Sequence, residues 1–210
     1  ASGNRIDFEY DNAGRRIRTL RPTVFDAASN TTVRPETREE YDGLGRPTAL
    51  IDAKGNRTTF VYAGFDRLLR REYADGTVRE RRYDALGRVI EQIDEAGRSS
   101  QFAYDILGRL IRVTDAVGGV TTYAHDEAGN LLTQTDALGR ITRYRYDELG
   151  RLVERQLPGG AQESFTYDAV GNTTAHTDFN GDTTRFRYDA MNRLMEKTFP
   201  DDSIQTFTYT

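Results

Sequence analysis

Apolar and polar positions along this chain do not follow a helical period. Short stretches of alternation end in aromatic residues two apart, as in Phe60-Val61-Tyr62, Phe102-Ala103-Tyr104, Tyr144-Arg145-Tyr146, Phe165-Thr166-Tyr167, Phe186-Arg187-Tyr188 and Phe207-Thr208-Tyr209. Residues two apart share one face of a strand, and threonines two before them (Thr58, Thr121, Thr142, Thr184) extend that face. The residue between the aromatics is often charged, so the opposite face is read as solvated. Each such strand is followed by a second, less regular one, typified by Leu110-Ile111-Arg112-Val113-Thr114, whose adjacent apolar residues predict a bulged opening.

The strands recur on a fixed grid. Tyr41, Tyr62, Tyr83, Tyr104, Tyr146, Tyr167, Tyr188 and Tyr209 lie on one 21-residue register, with His125 in the remaining slot. Counting each tyrosine as position 0, position +1 is Asp in Asp42, Asp84, Asp105, Asp126, Asp147, Asp168 and Asp189, and Ala63 is the exception. Position +4 is Gly45, Gly87, Gly108, Gly129, Gly150 and Gly171, with Asp66 and Asn192 in the other two repeats. Position +5 is Arg46, Arg67, Arg88, Arg109, Arg151 and Arg193, or Asn130 and Asn172. A second Asp-x-x-Gly unit follows ten residues on, with glycine at +14 in seven repeats.

Each unit reads as a tight turn. An aspartate at the first position accepts hydrogen bonds from nearby backbone amides, and glycine at the fourth takes a positive φ without steric cost. This is the signature of a type I turn closed by a left-handed residue, a common hairpin connection. The sequence therefore predicts an all-β fold of tandem antiparallel hairpins forming an open sheet wide enough to twist and curl. Residues 1–210 are read as one array, with eight regular repeats over 41–209 and an irregular insertion over 20–40. Gly3 and Phe8 occupy the +14 and +19 slots of an earlier repeat, so the array is expected to be an excerpt of a longer one.

Composition narrows the chemistry. Only 37% of the residues are hydrophobic and 30% are charged, enough for a thin apolar layer rather than a thick core. Ten phenylalanines and 12 tyrosines set the chain apart from a disordered polyelectrolyte. A net charge of −4 argues against general nucleic-acid affinity, and no stretch has the roughly 20 apolar residues of a membrane-spanning helix. Without cysteine there is no thiolate ligand or nucleophile. The aspartates are read as turn caps rather than paired catalytic carboxylates. Asp178-Phe179-Asn180-Gly181-Asp182 has its glycine in the wrong place for a calcium loop, and His125 and His176 are read as structural. No catalytic, metal or cofactor site is assigned. The +5 arginines are expected to stack on the tyrosine column or pair with the aspartates. A Tyr/Arg surface open to sugars or acidic polysaccharide is the alternative.

The units Tyr83-Asp84-Ala85-Leu86-Gly87-Arg88-Val89, Tyr104-Asp105-Ile106-Leu107-Gly108-Arg109-Leu110 and Tyr146-Asp147-Glu148-Leu149-Gly150-Arg151-Leu152 resemble the YD repeat of the Rhs family. That family includes bacterial polymorphic toxins, the C components of Tc insecticidal toxins and the teneurins. The resemblance implies a ribbon of hairpins that spirals into a hollow shell and, in the toxins, encloses and helps deliver a C-terminal toxic domain. It implies a secreted or delivered protein, partnered by the rest of its parent shell and by that domain. The D-P-x-G-x-x-G closing motif of whole family members is missing here, so no autoproteolytic role passes to any residue. An extracellular adhesion or carbohydrate-binding array is the alternative function. Uncovered strand edges also lead us to expect self-association.

Overall fold

A computed structural model describes residues 5–209, and it is built of strands and turns throughout. By its internal contacts the chain divides into two units, residues 1–101 and 102–210. The first contains β1 (Asp7–Tyr10), β2 (Arg16–Leu20), β3 (Val24–Asp26), β4 (Thr31–Val33), β5 (Glu36–Tyr41), β6 (Pro47–Ile51), β7 (Arg57–Tyr62), β8 (Leu68–Glu72), β9 (Val78–Tyr83) and β10 (Val89–Ile93), and runs into β11 (Ser99–Tyr104). The second contains β12 (Leu110–Thr114), β13 (Val120–His125), β14 (Leu131–Thr135), β15 (Ile141–Tyr146), β16 (Leu152–Gln156), β17 (Gln162–Tyr167), β18 (Thr173–Thr177), β19 (Thr183–Tyr188), β20 (Leu194–Thr198) and β21 (Ile204–Thr206). The slot assigned to Gly3 lies outside the described residues.

Each unit is an antiparallel meander, in which a strand pairs with its neighbour in sequence. From β5 to β20, six-residue strands that end on the grid position alternate with five-residue strands. The ladders are open: among the described residues β1 pairs only with β2, and β21 only with β20. In the first unit the meander steps from β2 to β5. The extra residues between them form a separate ribbon, β3 against β4, turning at Asp26–Thr31.

The register explains the adjacent apolar residues that open most of the five-residue strands. Tyr41 lies opposite Pro47 while Glu40 lies opposite Ala49, which leaves Thr48 as an extra residue. The same shift recurs at Tyr62/Leu68, Tyr146/Leu152, Tyr167/Thr173 and Tyr188/Leu194. Position +7 is therefore a β-bulge in each of these hairpins, two residues opposing one tyrosine.

There is no thick interior. Ala49 is the one fully buried hydrophobic side chain among the described residues, and Glu163 the one buried charged one. The tyrosine-bearing face is half-buried while the residues between the aromatics (Val61, Ala103, Arg145, Thr166, Arg187) are exposed. Cohesion within each unit thus comes from contacts along the face between neighbouring strands.

Candidate functional site

The repeated polar residues converge at the first turn of each period. In the turn after β15, Asp147 accepts a backbone hydrogen bond from Gly150 (3.0 Å) and donates its own N–H to the Arg151 carbonyl (3.0 Å). Gly150 takes φ +75°, closing a type I turn with a left-handed residue. The Asp147 side chain completes the turn: Oδ1 accepts the N–H groups of Leu149 (3.0 Å) and Arg151 (2.9 Å), and Oδ2 accepts Nε of Arg151 (2.7 Å). Asp42–Arg46, Asp84–Arg88, Asp105–Arg109 and Asp189–Arg193 repeat this pattern. The carboxyls of Asp42, Asp84, Asp147 and Asp189 are held below the usual carboxylate range. The +5 backbone N–H contributes most, desolvation opposes it, and the guanidinium adds a further lowering.

The arginine then reaches out of its own turn. Nη1 of Arg151 donates to the Asp168 carbonyl of the following repeat (3.1 Å), and its guanidinium lies over the Tyr167 ring, 4.7 Å from the centroid. Tyr167 answers by donating its hydroxyl to the Leu152 carbonyl (2.7 Å). Arg46 likewise donates to the Ala63 carbonyl (3.2 Å) and covers Tyr62 at 4.9 Å. Arg15 grips the Asp42 carbonyl and Tyr41, Arg109 reaches the Asp126 carbonyl, and Arg193 covers Tyr209. Burial raises the Tyr62, Tyr146, Tyr167 and Tyr188 hydroxyl pKa values, so these groups stay protonated. The result is a clasp made of one repeat's arginine and the next repeat's tyrosine and backbone.

Outside the Ala63 turn, departures from the motif change the clasp and keep the backbone bonds of the turn. Asn130 and Asn172 bond their own turn aspartates, and Asn172 reaches Asn192 of the next repeat (3.0 Å). Asn192 itself takes φ +60° in the glycine slot. In the second turns, Tyr73, Leu157 and Phe199 stand in the aspartate position and keep both backbone bonds. Asp75 and Asp201 supply a cap from inside the turn, accepting the N–H groups of Thr77 and Ser203. Asp178 caps its turn through the amides of Asn180 and Asp182. Tyr83 and Tyr188 end β9 and β19, Tyr104 ends β11, and Asp168 and Gly171 form the turn after β17.

Two features lay outside the sequence reading. The first is a row of apolar turn tips at +3: Leu44, Phe65 and Leu86 in the first unit, and Leu107, Leu149, Val170 and Met191 in the second, all at least 67% exposed. The signal was the leucine of Y-D-x-L-G-R. The second is a set of cross-strand contacts joining position +9 to positions +17 and +19. Arg155 lies opposite Glu163, with Nε 2.6 Å from Oε1, and His176 stacks on Phe165 (4.6 Å between centroids) with Nε2 3.4 Å from Glu163 Oε2.

The RHS Repeat family profile matches residues 41–78, 83–120, 107–137, 125–162 and 167–204. Among curated proteins nothing matches this chain. Among solved structures, it is similar to a Tc holotoxin pore of Photorhabdus luminescens (20% identity, 96% of this chain and 14% of that one, TM-score 0.41) and to the TcdB2–TccC3 complex (20%, 97% and 15%, TM-score 0.40). A porin-like protein from Bacteroides uniformis is also similar (13%, 85% and 92%, TM-score 0.34). The chain spans about a seventh of the Tc structures' length. With its repeat matched over most of residues 41–204, this chain belongs to the RHS repeat family and is a structural repeat segment of it.

Proposed function

We propose that this segment is part of the wall of an Rhs-type shell that encloses and helps deliver a toxin domain of its parent protein, with no catalysis of its own. The clasp carries this reading. Tyrosine, aspartate and arginine, the residues most suited to chemistry, hold each turn together and bind one repeat to the next. Such a unit propagates by nearest-neighbour contacts, as a wall requires. The apolar +3 tips give that wall an edge to be joined to its surroundings, since exposed apolar rows of this kind mark interaction surfaces. A protein of this kind is delivered outside the cell that makes it. The carbohydrate-binding alternative has less support, because tyrosines such as Tyr83 and Tyr167 are already hydrogen-bonded through their hydroxyls and covered by arginines.

Limited proteolysis of the parent polypeptide tests this. The enclosed domain should resist a protease that digests it readily in isolation. Arg46→Ala combined with Arg151→Ala should open the wall and restore cleavage. Equal cleavage rates for the free and the attached domain would overturn the proposal.

A further inference from the structure

The repeat between Tyr62 and Tyr83 departs from its neighbours on the tyrosine face. Position +19 holds Phe60, Phe102, Tyr123, Tyr144, Phe165 and Phe186 elsewhere, but Arg81 here. Position +17 holds Arg79, where Thr58, Ser100, Thr121, Thr142 and Thr184 are small and Glu163 and Gln205 carry no positive charge. Arg79 lies directly opposite Arg71 in the β8–β9 ladder, a placement of like charges that destabilises a sheet unless something neutralises it.

The local acids neutralise it only in part. Arg79 is bound to Glu95 (2.7 Å). Arg71 has its guanidinium over Phe60 (5.0 Å) and Tyr73, with one long contact to the Tyr73 hydroxyl (3.5 Å). The Arg81 guanidinium makes no hydrogen bond or ion pair among the described residues. The remaining nearby carboxylates, Glu72, Glu80 and Glu91, are engaged by Arg70 and Arg82. Both Arg71 Nε and Arg79 Nε are buried without an acceptor. A buried guanidinium donor left unmade is costly, and the two arginines that carry these donors line, with Leu68, Leu69 and Arg81, one cavity of about 100 Å³.

We propose that this cavity, with Arg71, Arg79 and Arg81 around it, is a binding site for a tetrahedral oxyanion, a phosphate or sulfate group either free or carried as an ester. Guanidinium groups present forked donors matched to such oxygens, and the cavity exceeds the space of a single water several-fold. Three cations against one carboxylate leave an excess of about two positive charges, suited to a divalent anion.

The test follows the arginine Nε–H signals of the intact segment by nitrogen-edited NMR. Inorganic sulfate and phosphate are titrated against chloride at constant ionic strength. The Arg71 and Arg79 signals should move saturably with either oxyanion and remain still in chloride, while exposed Arg145 serves as an internal reference. Arg81→Phe restores the aromatic that other repeats carry, so the variant should fold with an unchanged or higher Tm and bind at least tenfold more weakly. Arg71→Gln should weaken binding to a similar extent. A sulfated polysaccharide binding more tightly than free sulfate, and losing that advantage on desulfation, would identify an ester as the source. Equal affinity for both would identify the free ion. Absence of saturable shifts with all three probes, or full binding by Arg81→Phe, would overturn the site.

Discussion

The repeats that begin at Tyr62 and Tyr146 share one strand register and differ in several polar choices. Both pair the tyrosine with position +6 and bulge at +7. Both close the first turn with the N–H of +1 bonded to the carbonyl of +5. Yet the turn after Tyr146 uses Asp147 and Gly150, while the turn after Tyr62 has Ala63 and Asp66, with Phe65 and Asp66 both forced to positive φ (+61° and +58°). Without an aspartate, Arg67 Nε donates to the Gly64 carbonyl (3.0 Å). Further along, Arg155 faces Glu163 in one repeat and Arg71 faces Arg79 in the other. The backbone register is thus independent of these side chains. It is fixed by the turn-to-turn spacing, and individual repeats are free to carry strain or excess charge.

The largest test of this contrast imports the arginine pair into the neutralised repeat. Glu163→Arg leaves Arg155 and His176 without their carboxylate and sets like charges opposite one another. We expect a loss of about 3 kcal/mol in urea-induced unfolding. A loss under about 1 kcal/mol would mean that solvent screens this face and that the two repeats are electrostatically equivalent. The reverse repair acts on the turn. Ala63→Asp combined with Asp66→Gly should raise stability by about 1–2 kcal/mol, by supplying the side-chain cap and removing the strain of a left-handed non-glycine residue. An unchanged or lowered Tm would show that the turn at Gly64 has its own compensation.

The smallest expected effect is the response to acid. The turn aspartates have folded pKa values below those of the unfolded chain, so their contribution is complete above the unfolded value, about 3.9, and fades as pH falls through the lowered folded values. Stability should therefore decline only below about pH 4. Asp147→Asn should flatten that acid limb, whereas Ala63→Asp with Asp66→Gly should steepen it. Identical limbs for all three proteins would remove the carboxylates from the pH response.

Much of the fold was legible because its determinants are local. A turn is decided within five residues, and Asp147, Gly150 and Arg151 lie inside that window. The bulge was legible for the same reason, from two adjacent apolar residues after a glycine. What could not be read was set by register between strands. That Arg151 grips the Asp168 carbonyl needs two strands and a second turn between them. That Arg71 meets Arg79 depends on the alignment of β8 with β9, since the two are unremarkable members of an Arg/Glu-rich stretch in sequence. The apolar tips were visible as letters, but only their exposure in the folded turns makes Leu86 or Met191 an unpartnered surface. Tyr73, Leu157 and Phe199 broke the aspartate pattern in sequence, yet the backbone bonds of their turns are intact.

The +7 bulge also governs how such a protein can change length. Sheet faces alternate with every residue, so a further one-residue insertion within a strand, unless absorbed as a second bulge, would move the rest of that strand's side chains to the opposite face. Growth or contraction by recombination is therefore quantised in whole repeats, each restoring the same face. Additional sequence of arbitrary length has one harmless place to go, beyond the tip of a second turn. The ribbon of β3 and β4 occupies that place between β2 and β5, which makes the corresponding tips in later repeats natural points for grafting a foreign loop without disturbing the grid.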